Sequence, residues 1–183
     1  MNTVEEVQAL PDSLDEITGG GGNTAEIHLP PVTYDGGITI PWYIDLYGAE
    51  EGGRTVFTGP VRMAFPNQGI SWIYDIDFVG SGNGVGFSTS TRTFLQRCRF
   101  SGWRTGVLVQ DAWVSAFDCT FEENEIGLHF NNDTGISIDS RYTRDVFRNN
   151  GTAVLLERVS NGEPLTFPEA VFSGNGTDID NRC

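Results

Sequence analysis

A phenylalanine recurs in step along this chain of 183 residues. Subtraction of residue numbers gives intervals of 22, 21, 26 and 25 between the members of the series, which are Phe78, Phe100, Phe121, Phe147 and Phe172. Self-similarity at a period of roughly 20 to 50 residues is the signature of stacked repeats, in which one unit is too short to bury its apolar face alone. The series therefore predicts a coiled stack with the phenylalanines above one another.

Other positions keep the same phase. Six residues after each Phe the chain has Gly84, Gly106, Gly127, Ala153 and Asp178. The residue after these is aliphatic in every copy, as Val85, Val107, Leu128, Val154 and Ile179. Asparagine stands three residues after the Phe in the last three copies, at Asn124, Asn150 and Asn175. These phases predict that a second strand of each coil opens at the glycine-like position.

The repeated Phe-x-x-Asn-x-x-Gly-Val pattern resembles the right-handed parallel β-helix superfamily, the fold of pectate lyase and pectin lyase. The segments Ala25–Tyr34, Gly37–Ile40 and Ile44–Gly48 are similar to the first coil of such proteins. The resemblance covers nearly the whole chain. It implies an all-β fold, a right-handed single-stranded parallel β-helix of about six to seven coils with a short N-terminal α-helical cap. It implies no single activity, because the superfamily includes lyases, hydrolases, epimerases and non-catalytic domains.

The first residues have the features of helix starts. Thr3 and Ser13 are each followed three residues later by a glutamate, as in a capping box. Pro11 between them predicts two short helices or one broken helix. We expect residues 1–22 to form a helical cap and a glycine hinge, and residues 23–183 to form one β-helix domain whose open apolar end the cap covers.

Short strands broken by Gly, Pro, Asn and Asp fill the rest of the chain. Before the regular region, the predicted strands are 26–29, 38–40, 44–47, 55–58, 61–65 and 70–79. In the regular region they come in pairs, which are 85–88 with 94–100, 107–110 with 114–121, 128–131 with part of 136–147, and 154–158 with 165–172. Long helical crossovers are missing, which disfavours a βαβ fold. An antiparallel sandwich would not keep the phenylalanines in phase.

The chain is acidic, with 25 Asp and Glu against 11 Lys and Arg and a net charge of −14. Such a surface disfavours nucleic acid and anionic membranes as partners. No apolar run approaches the roughly twenty residues of a membrane span. We expect an extracellular or cell-surface protein whose leader has been removed, with a cytoplasmic location as the alternative. Because the chain ends at Cys183 with a strand unfinished, we expect a fragment of a larger protein whose C-terminal coil is covered by a neighbouring domain or subunit.

Alternation along the strands places each Phe, and the residue two positions earlier, inside the stack. Cys98 would then lie next to Cys119, within reach of a disulfide, although a reduced apolar stack is the commoner arrangement. Asp145 breaks this inward column. Either it is a buried carboxylate with a raised pKa, able to act as acid or base, or a bulge turns it outward. The cost of burying a lone carboxylate favours the bulge.

Charges alternate in sign from coil to coil at the outward position three residues before each Phe. The members of this column are Asp75, Arg97, Asp118, Arg144 and Glu169, and Arg99 lies beside it. Opposite charges on neighbouring strands form a salt-bridge ladder that fixes the register, with each pair worth at most about 1 kcal/mol. The alternative is a ligand-binding groove, in which the arginines hold a carboxylated or hydroxyl-rich glycan. The alternation favours the ladder.

A second candidate site is a polar patch formed by Asp111, His129, Asn131, Asn132, Asp133 and Glu157. Oxygen ligands suit calcium, and a histidine near carboxylates can titrate. Asn and Asp also favour turns for backbone reasons alone, and no Asp-x-Asp-x-Asp-Gly loop is present. We therefore predict no cofactor, with calcium as the minor alternative. No Cys-x-x-Cys motif indicates zinc.

Trp42, Trp103 and Trp113 would stack on sugar rings if they were exposed, although a tryptophan more commonly fills a corner of the core. Family motifs identify no catalytic residue. The segment Thr134–Ser140 resembles the Gly-His-Gly-Ile-Ser-Ile segment of polygalacturonases without its histidine, and Ser71–Asp75 does not match the Trp-Ile-Asp-His segment of pectate lyases.

Short turns take the place of the long loops that wall the cleft in most enzymes of this fold. We therefore expect a non-catalytic module that binds a polysaccharide or displays a rigid surface to another protein. The alternative is a polysaccharide lyase or glycoside hydrolase that acts on an acidic glycan at the face formed by Asp75, Arg97, Asp118 and Arg144.

Overall fold

Three parallel sheets wind around one axis, and each contains seven strands. We name them sheets A, B and C in the order in which the chain first reaches them. Every turn contributes one strand to each sheet, so each strand pairs with the strands one turn earlier and one turn later. The computed structural model describes residues 1–10, 25–40, 44–63, 70–132, 140–159 and 165–183. The predicted all-β fold is confirmed as a parallel β-solenoid, in which the chain makes about six turns between the first and the seventh strand of a sheet, with one short N-terminal helix.

The strands are numbered in chain order. Sheet A consists of β1 (Ala25–His28), β4 (Ile44–Tyr47), β7 (Ile70–Tyr74), β10 (Arg92–Gln96), β13 (Val114–Phe117), β16 (Ser140–Thr143) and β19 (Leu165–Thr166). Sheet B consists of β2 (Thr33–Tyr34), β5 (Thr55–Phe57), β8 (Ile76–Val79), β11 (Arg99–Ser101), β14 (Thr120–Glu122), β17 (Val146–Arg148) and β20 (Val171–Ser173). Sheet C consists of β3 (Ile38–Ile40), β6 (Val61–Met63), β9 (Val85–Thr89), β12 (Thr105–Gln110), β15 (Ile126–Asn131), β18 (Thr152–Glu157) and β21 (Thr177–Asn181).

The predicted phenylalanine column runs along the inner face of sheet B. Its five members pair in register, and neighbouring rings stack at centroid distances from 4.6 to 5.2 Å. Two further rings, Phe57 and Tyr34, extend the column to the first turn, at 6.2 and 4.8 Å. In-register parallel pairing places equivalent side chains about 4.8 Å apart, which is close to the distance at which aromatic rings stack.

The chain bends from sheet A to sheet B at a single residue. The corner residues have left-handed backbone with φ between 52° and 59°, and they are Asp75, Arg97, Asp118, Arg144 and Glu169. The predicted continuous strands 70–79, 94–100 and 114–121 are therefore each two strands, in different sheets. The single-strand prediction was wrong because a non-glycine residue with positive φ is uncommon, and arginine gives no sign of it in the sequence.

The register also corrects one predicted repeat position. Pairing of β9 with β12 places Gly106 opposite Gly86, not opposite Gly84. The absence of a side chain at Gly86 makes room for an indole, because a Cβ there would lie 2.7 Å from Nε1 of Trp103.

A ladder of asparagines closes the turns between sheets B and C. Asn150 Oδ1 accepts the N–H of Asn124 at 3.1 Å, and Asn150 Nδ2 donates to the Phe121 carbonyl at 2.9 Å. Asn124 and Asn175 repeat this pattern one turn earlier and one turn later. Trp103 takes the equivalent place in the turn before Asn124, and its Nε1 donates to a backbone carbonyl at 3.0 Å. The ladder satisfies buried backbone groups that water cannot reach.

The helix of residues 4–10 covers the first turn, as predicted for a cap. Val7 is buried against the core. Gln8 accepts the N–H of Thr39 at 2.7 Å and donates to its carbonyl at 2.8 Å, so the helix satisfies part of the open edge of sheet C. At the start of the helix Thr3 Oγ1 accepts the N–H of Glu6, as the first capping box predicts, and the Glu6 carboxylate accepts the N–H of Asn2. The predicted second helix and the glycine hinge lie outside the described residues.

We predict that Asn150→Ala lowers the free energy of unfolding by about 1–3 kcal/mol, because it leaves buried donors and acceptors unpaired. Asn175→Ala is the matched control, since Asn175 is only half-buried in the last turn, and we expect a smaller loss. Chemical denaturation of both variants checks the prediction. Equal losses of unfolding free energy in the two variants would show that the stabilisation by an asparagine does not depend on how deeply it is buried.

Candidate functional site

The predicted charged column lies on the corner between sheets A and B, where it forms bidentate ion pairs. Arg97 donates to the two Asp75 oxygens at 2.8 and 2.6 Å, and Arg144 donates to the two Asp118 oxygens at 2.7 Å each. The hydrogen bond from Arg144 lowers the pKa of Asp118, and the hydrogen bond to Asp75 raises the pKa of Arg97. Glu169 occupies the same corner in the last turn. This geometry is that of a register-fixing ladder.

A second set of ion pairs lies on the outer face of sheet B. Glu122 is buried and is bound by both Arg99 and Arg148. Burial acts to raise the pKa of Glu122, but the hydrogen bonds from Arg148 and Arg99 lower it overall. Arg54 donates to one Asp77 oxygen at 2.8 and 3.0 Å. Of the arginines that the groove hypothesis assigns to a glycan, Arg99 is thus bound to Glu122. Glu122 itself was not predicted, because no column of charges passes through its position.

The predicted polar patch divides into two contacts at the outer face of sheet C. His129 Nε2 lies 2.9 Å from a carboxylate oxygen of Glu157, and Arg158 binds both Asp111, at 2.9 Å, and Asn131. Within the described ranges, no three His, Cys, Asp or Glu side chains are grouped so as to hold a metal ion. The two described carboxylates of the patch, Asp111 and Glu157, contact basic side chains of the protein.

One further member of the patch and two of the candidate tryptophans are buried. Asn132 is buried and its Nδ2 donates to the Ala112 carbonyl at 2.9 Å, whereas Asp133 lies outside the described residues. Trp103 and Trp113 are buried in the core, so neither can stack on a sugar. Trp42 also lies outside the described residues.

The outer face of sheet A carries aromatic side chains in five successive turns. This aromatic stripe consists of His28, Tyr47, Trp72, Tyr74, Phe94 and Phe117. All are half-buried except His28, which is exposed. Aromatic groups of this size on a solvent-facing sheet have a large apolar area and, in tyrosine and tryptophan, a polar end.

The rings of the stripe form two short stacks that meet on one strand. His28, Tyr47 and Tyr74 stack at 4.6 and 4.5 Å, and Trp72 stacks on Phe94 at 4.3 Å. Trp72 and Tyr74 lie side by side on β7, with centroids 5.6 Å apart and planes 8° apart. The stripe is therefore a rigid surface whose side chains already hold one another in position.

Rings within a stack cover each other's faces, so the open faces are at the ends of the stacks. Trp72 faces Phe94 on one side, and on the other its neighbour in register is Asp45, which has no ring. Asp45 also accepts the Trp72 N–H at 2.8 Å. Burial raises the pKa of Tyr74 to about 12, so its phenol stays protonated. The neighbouring strands β4 and β7 thus place an indole, a carboxylate and two phenol groups on one outer face.

The stripe was not predicted, because each corner residue inverts the alternation of inward and outward side chains. If 70–79 were one strand, Trp72 and Tyr74 would point inward with Phe78. The left-handed residue Asp75 reverses the phase, so Ile73 points inward and both aromatic residues point outward. The same reversal at the next two corners places Phe94 and Phe117 outside.

Asp145 is fully buried, and the bulge interpretation is wrong. Its Oδ1 accepts the N–H of Cys119 at 2.7 Å, while no described residue hydrogen-bonds to its Oδ2. Burial raises its pKa to about 8. Cys98 and Cys119 are free, buried thiols in the same column, as the reduced arrangement predicts. The site is closed to solvent, so Asp145 affects stability and has no access to a ligand.

No protein-family model, curated protein or solved structure matches this chain. Among the described residues, no helix has the length and apolar character that crossing a membrane requires.

We predict that the protein loses stability as the pH rises from about 4 to about 8 through Asp145. The unfolded carboxyl ionises near its ordinary pKa of 3.8, whereas the folded one stays protonated up to about 8. Asp145→Asn keeps an acceptor for Cys119 and cannot ionise. At pH 8 we expect it to be more stable than the unchanged protein by about 1–3 kcal/mol.

Denaturation curves between pH 4 and 8 measure this effect, with Asp118→Asn as the control. Asp118 is paired at the surface and its pKa is lowered, so its removal costs at most about 1 kcal/mol and lowers stability at pH 8. A steep pH dependence that persists in Asp145→Asn would contradict the assignment.

Proposed function

We propose that the protein is a non-catalytic binding module that holds a glycan on the aromatic stripe. The observation that carries the proposal is the arrangement around Trp72, where the indole lies beside Tyr74 and stacks on Phe94, and the Trp72 N–H donates to the Asp45 carboxylate. Sugars combine apolar C–H faces with hydroxyl groups, and amphipathic aromatic side chains beside polar groups suit both.

The shape of the stripe favours an elongated ligand. From His28 in the first turn to Phe117 in the fifth, the stripe crosses four strand spacings, which is about 19 Å. Because both stacks lie on strands of one sheet, a ligand along the solenoid axis meets side chains that need little ordering on binding. Such a surface fits several consecutive units of a polysaccharide.

We further propose membership of the pectate-lyase-like superfamily, with a right-handed coil, and an extracellular location. The in-step phenylalanines and the asparagine ladder support the family proposal. A glycan ligand supports the location, because polysaccharides of this length are commonest outside cells.

A protein partner is the second candidate. Tyr, Trp and Arg dominate binding hot spots, and Arg92 places its guanidinium carbon 5.2 Å from the Phe94 ring centroid within the stripe. A protein ligand would contact the ring edges along the whole stripe, and its binding would not depend on Trp72 in particular.

We predict that Trp72→Ala weakens binding of the oligosaccharide ligand about 30-fold, which corresponds to a hot-spot loss of about 2 kcal/mol. Titration calorimetry against a panel of glucans, galactans, mannans and amino-sugar polymers identifies the ligand first. Val171→Ala is the control, because Val171 is 52% exposed on sheet B, away from the stripe. Failure of every glycan to bind, or equal loss in both variants, would contradict the proposal.

The enzymatic alternative has its own test. We predict no unsaturated or shortened products when the protein is incubated with uronate polymers, with or without calcium. Asp75, Arg97, Asp118 and Arg144 are engaged in bidentate pairs, so they offer no evident base or carboxylate clamp. Turnover that Arg97→Ala abolishes would overturn the binding-module proposal.

A further inference from the structure

We infer that the glycan bound at the aromatic stripe is basic, with amino groups that lie at the end formed by the first two turns. The inference rests on the proposed function and adds the chemical class of the ligand. It is carried by the hollow and the carboxylates at that end of the stripe.

A hollow of about 420 Å³ opens at this end of the stripe. Its lining residues are His28, Leu29, Tyr47, Gly48, Ala49, Glu50 and Glu51. The hollow thus joins two stacked rings of the stripe to two exposed carboxylates. Its volume lies within the range of about 300 to 1,000 Å³ typical of ligand sites.

Two more carboxylates lie in the same two turns. Glu26 and Asp45 face each other in register on the outer face of sheet A, one strand spacing apart. Burial, with a contribution from Glu26, raises the pKa of Asp45. Burial and the charges of Glu26 and Asp45 raise the pKa of Tyr47 in the same way. The negative potential therefore reaches the rings themselves.

These carboxylates lack the arginine partners found elsewhere. On sheet B and its corner, each of Asp75, Asp77, Asp118 and Glu122 is bound by at least one arginine. Within the described part of the chain, no arginine lies within ion-pairing distance of Asp45, Glu50 or Glu51, and Glu26 contacts only His28, at 3.4 Å. Four carboxylates of sheet B and its corner are thus paired with arginines, whereas Asp45, Glu50 and Glu51 have no arginine within ion-pairing distance.

An ammonium group in the hollow would interact favourably with both the carboxylates and the aromatic rings. It would relieve the repulsion among the carboxylates, and it would lie near aromatic rings that attract cations. A uronate carboxylate would add to the repulsion, on a protein that already carries a net charge of −14. A neutral sugar would gain only the aromatic contact. Charge complementarity therefore selects an amino-sugar polymer.

The experiment compares four oligosaccharides of equal length, made of glucosamine, N-acetylglucosamine, glucose and galacturonate. At low ionic strength and a pH that keeps the amines protonated, we expect the glucosamine oligomer to bind at least tenfold more tightly than its acetylated counterpart. Added salt should bring the affinities of these two oligomers closer together, since screening weakens the contacts between amino groups and carboxylates.

The double variant Glu50→Gln/Glu51→Gln should bring the affinities of the glucosamine oligomer and its acetylated counterpart closer together, because it removes two of the four carboxylates at this end of the stripe. Asp118→Asn, which removes a carboxylate from the paired corner, is the matched control and should leave the ratio of these two affinities intact. Trp72→Ala should weaken all the oligomers that bind.

Three other outcomes would overturn this inference, and one of them would also overturn the glycan-binding proposal. If the acetylated and glucose oligomers bind as tightly as the glucosamine oligomer, and Trp72→Ala weakens them, the glycan-binding proposal stands and this inference is overturned. If no oligomer binds, both are overturned. If polylysine competes as well as the glucosamine oligomer and Trp72→Ala has no effect, charge alone explains the binding and the inference is again overturned.

Discussion

In-register parallel pairing is the constraint on which the rest of the structure depends. It places the same position of successive turns about 4.8 Å apart, so any contact that is favourable between two like side chains repeats along the axis. Aromatic rings stack inside sheet B, asparagines bond to asparagines at the next corner, and arginines alternate with carboxylates at the other. A shift of one residue in any turn would break all three columns together, which makes the register well specified.

The left-handed corner residues decide which side chains reach the surface. Each one reverses the inward and outward alternation between sheet A and sheet B. The reversal puts Ile73 and Leu95 into the core and Trp72 and Phe94 outside, although both aromatic residues are large and apolar. Leaving such residues half-buried loses hydrophobic stabilisation, which their mutual stacking recovers only in part. A surface maintained at that cost is the natural candidate for ligand binding.

The sequence was sufficient for features that depend on spacing alone. The phenylalanine column, the alternating charges and the N-terminal cap follow from period and residue type, and Phe57 was available too, 21 residues before Phe78. The aromatic stripe could not be predicted, because the direction of its side chains depends on a positive φ at residues such as Arg97. No residue propensity indicates a positive φ for arginine. Asp145 was predicted to point outward because burying a carboxylate is generally unfavourable. That cost is met locally, by protonation and by the Cys119 N–H.

Distances between spin labels on one outward column test the in-register stack most directly. Val56, Val146 and Val171 occupy this column on sheet B, with the last two four and five strand spacings from the first. With exposed Cys183 replaced by serine and labels at Val56→Cys/Val146→Cys or Val56→Cys/Val171→Cys, double electron–electron resonance should give distances near 19 and 24 Å. Equal distances, or a shorter one for the Val171 pair, would contradict the winding of the chain and the aromatic surface built on it.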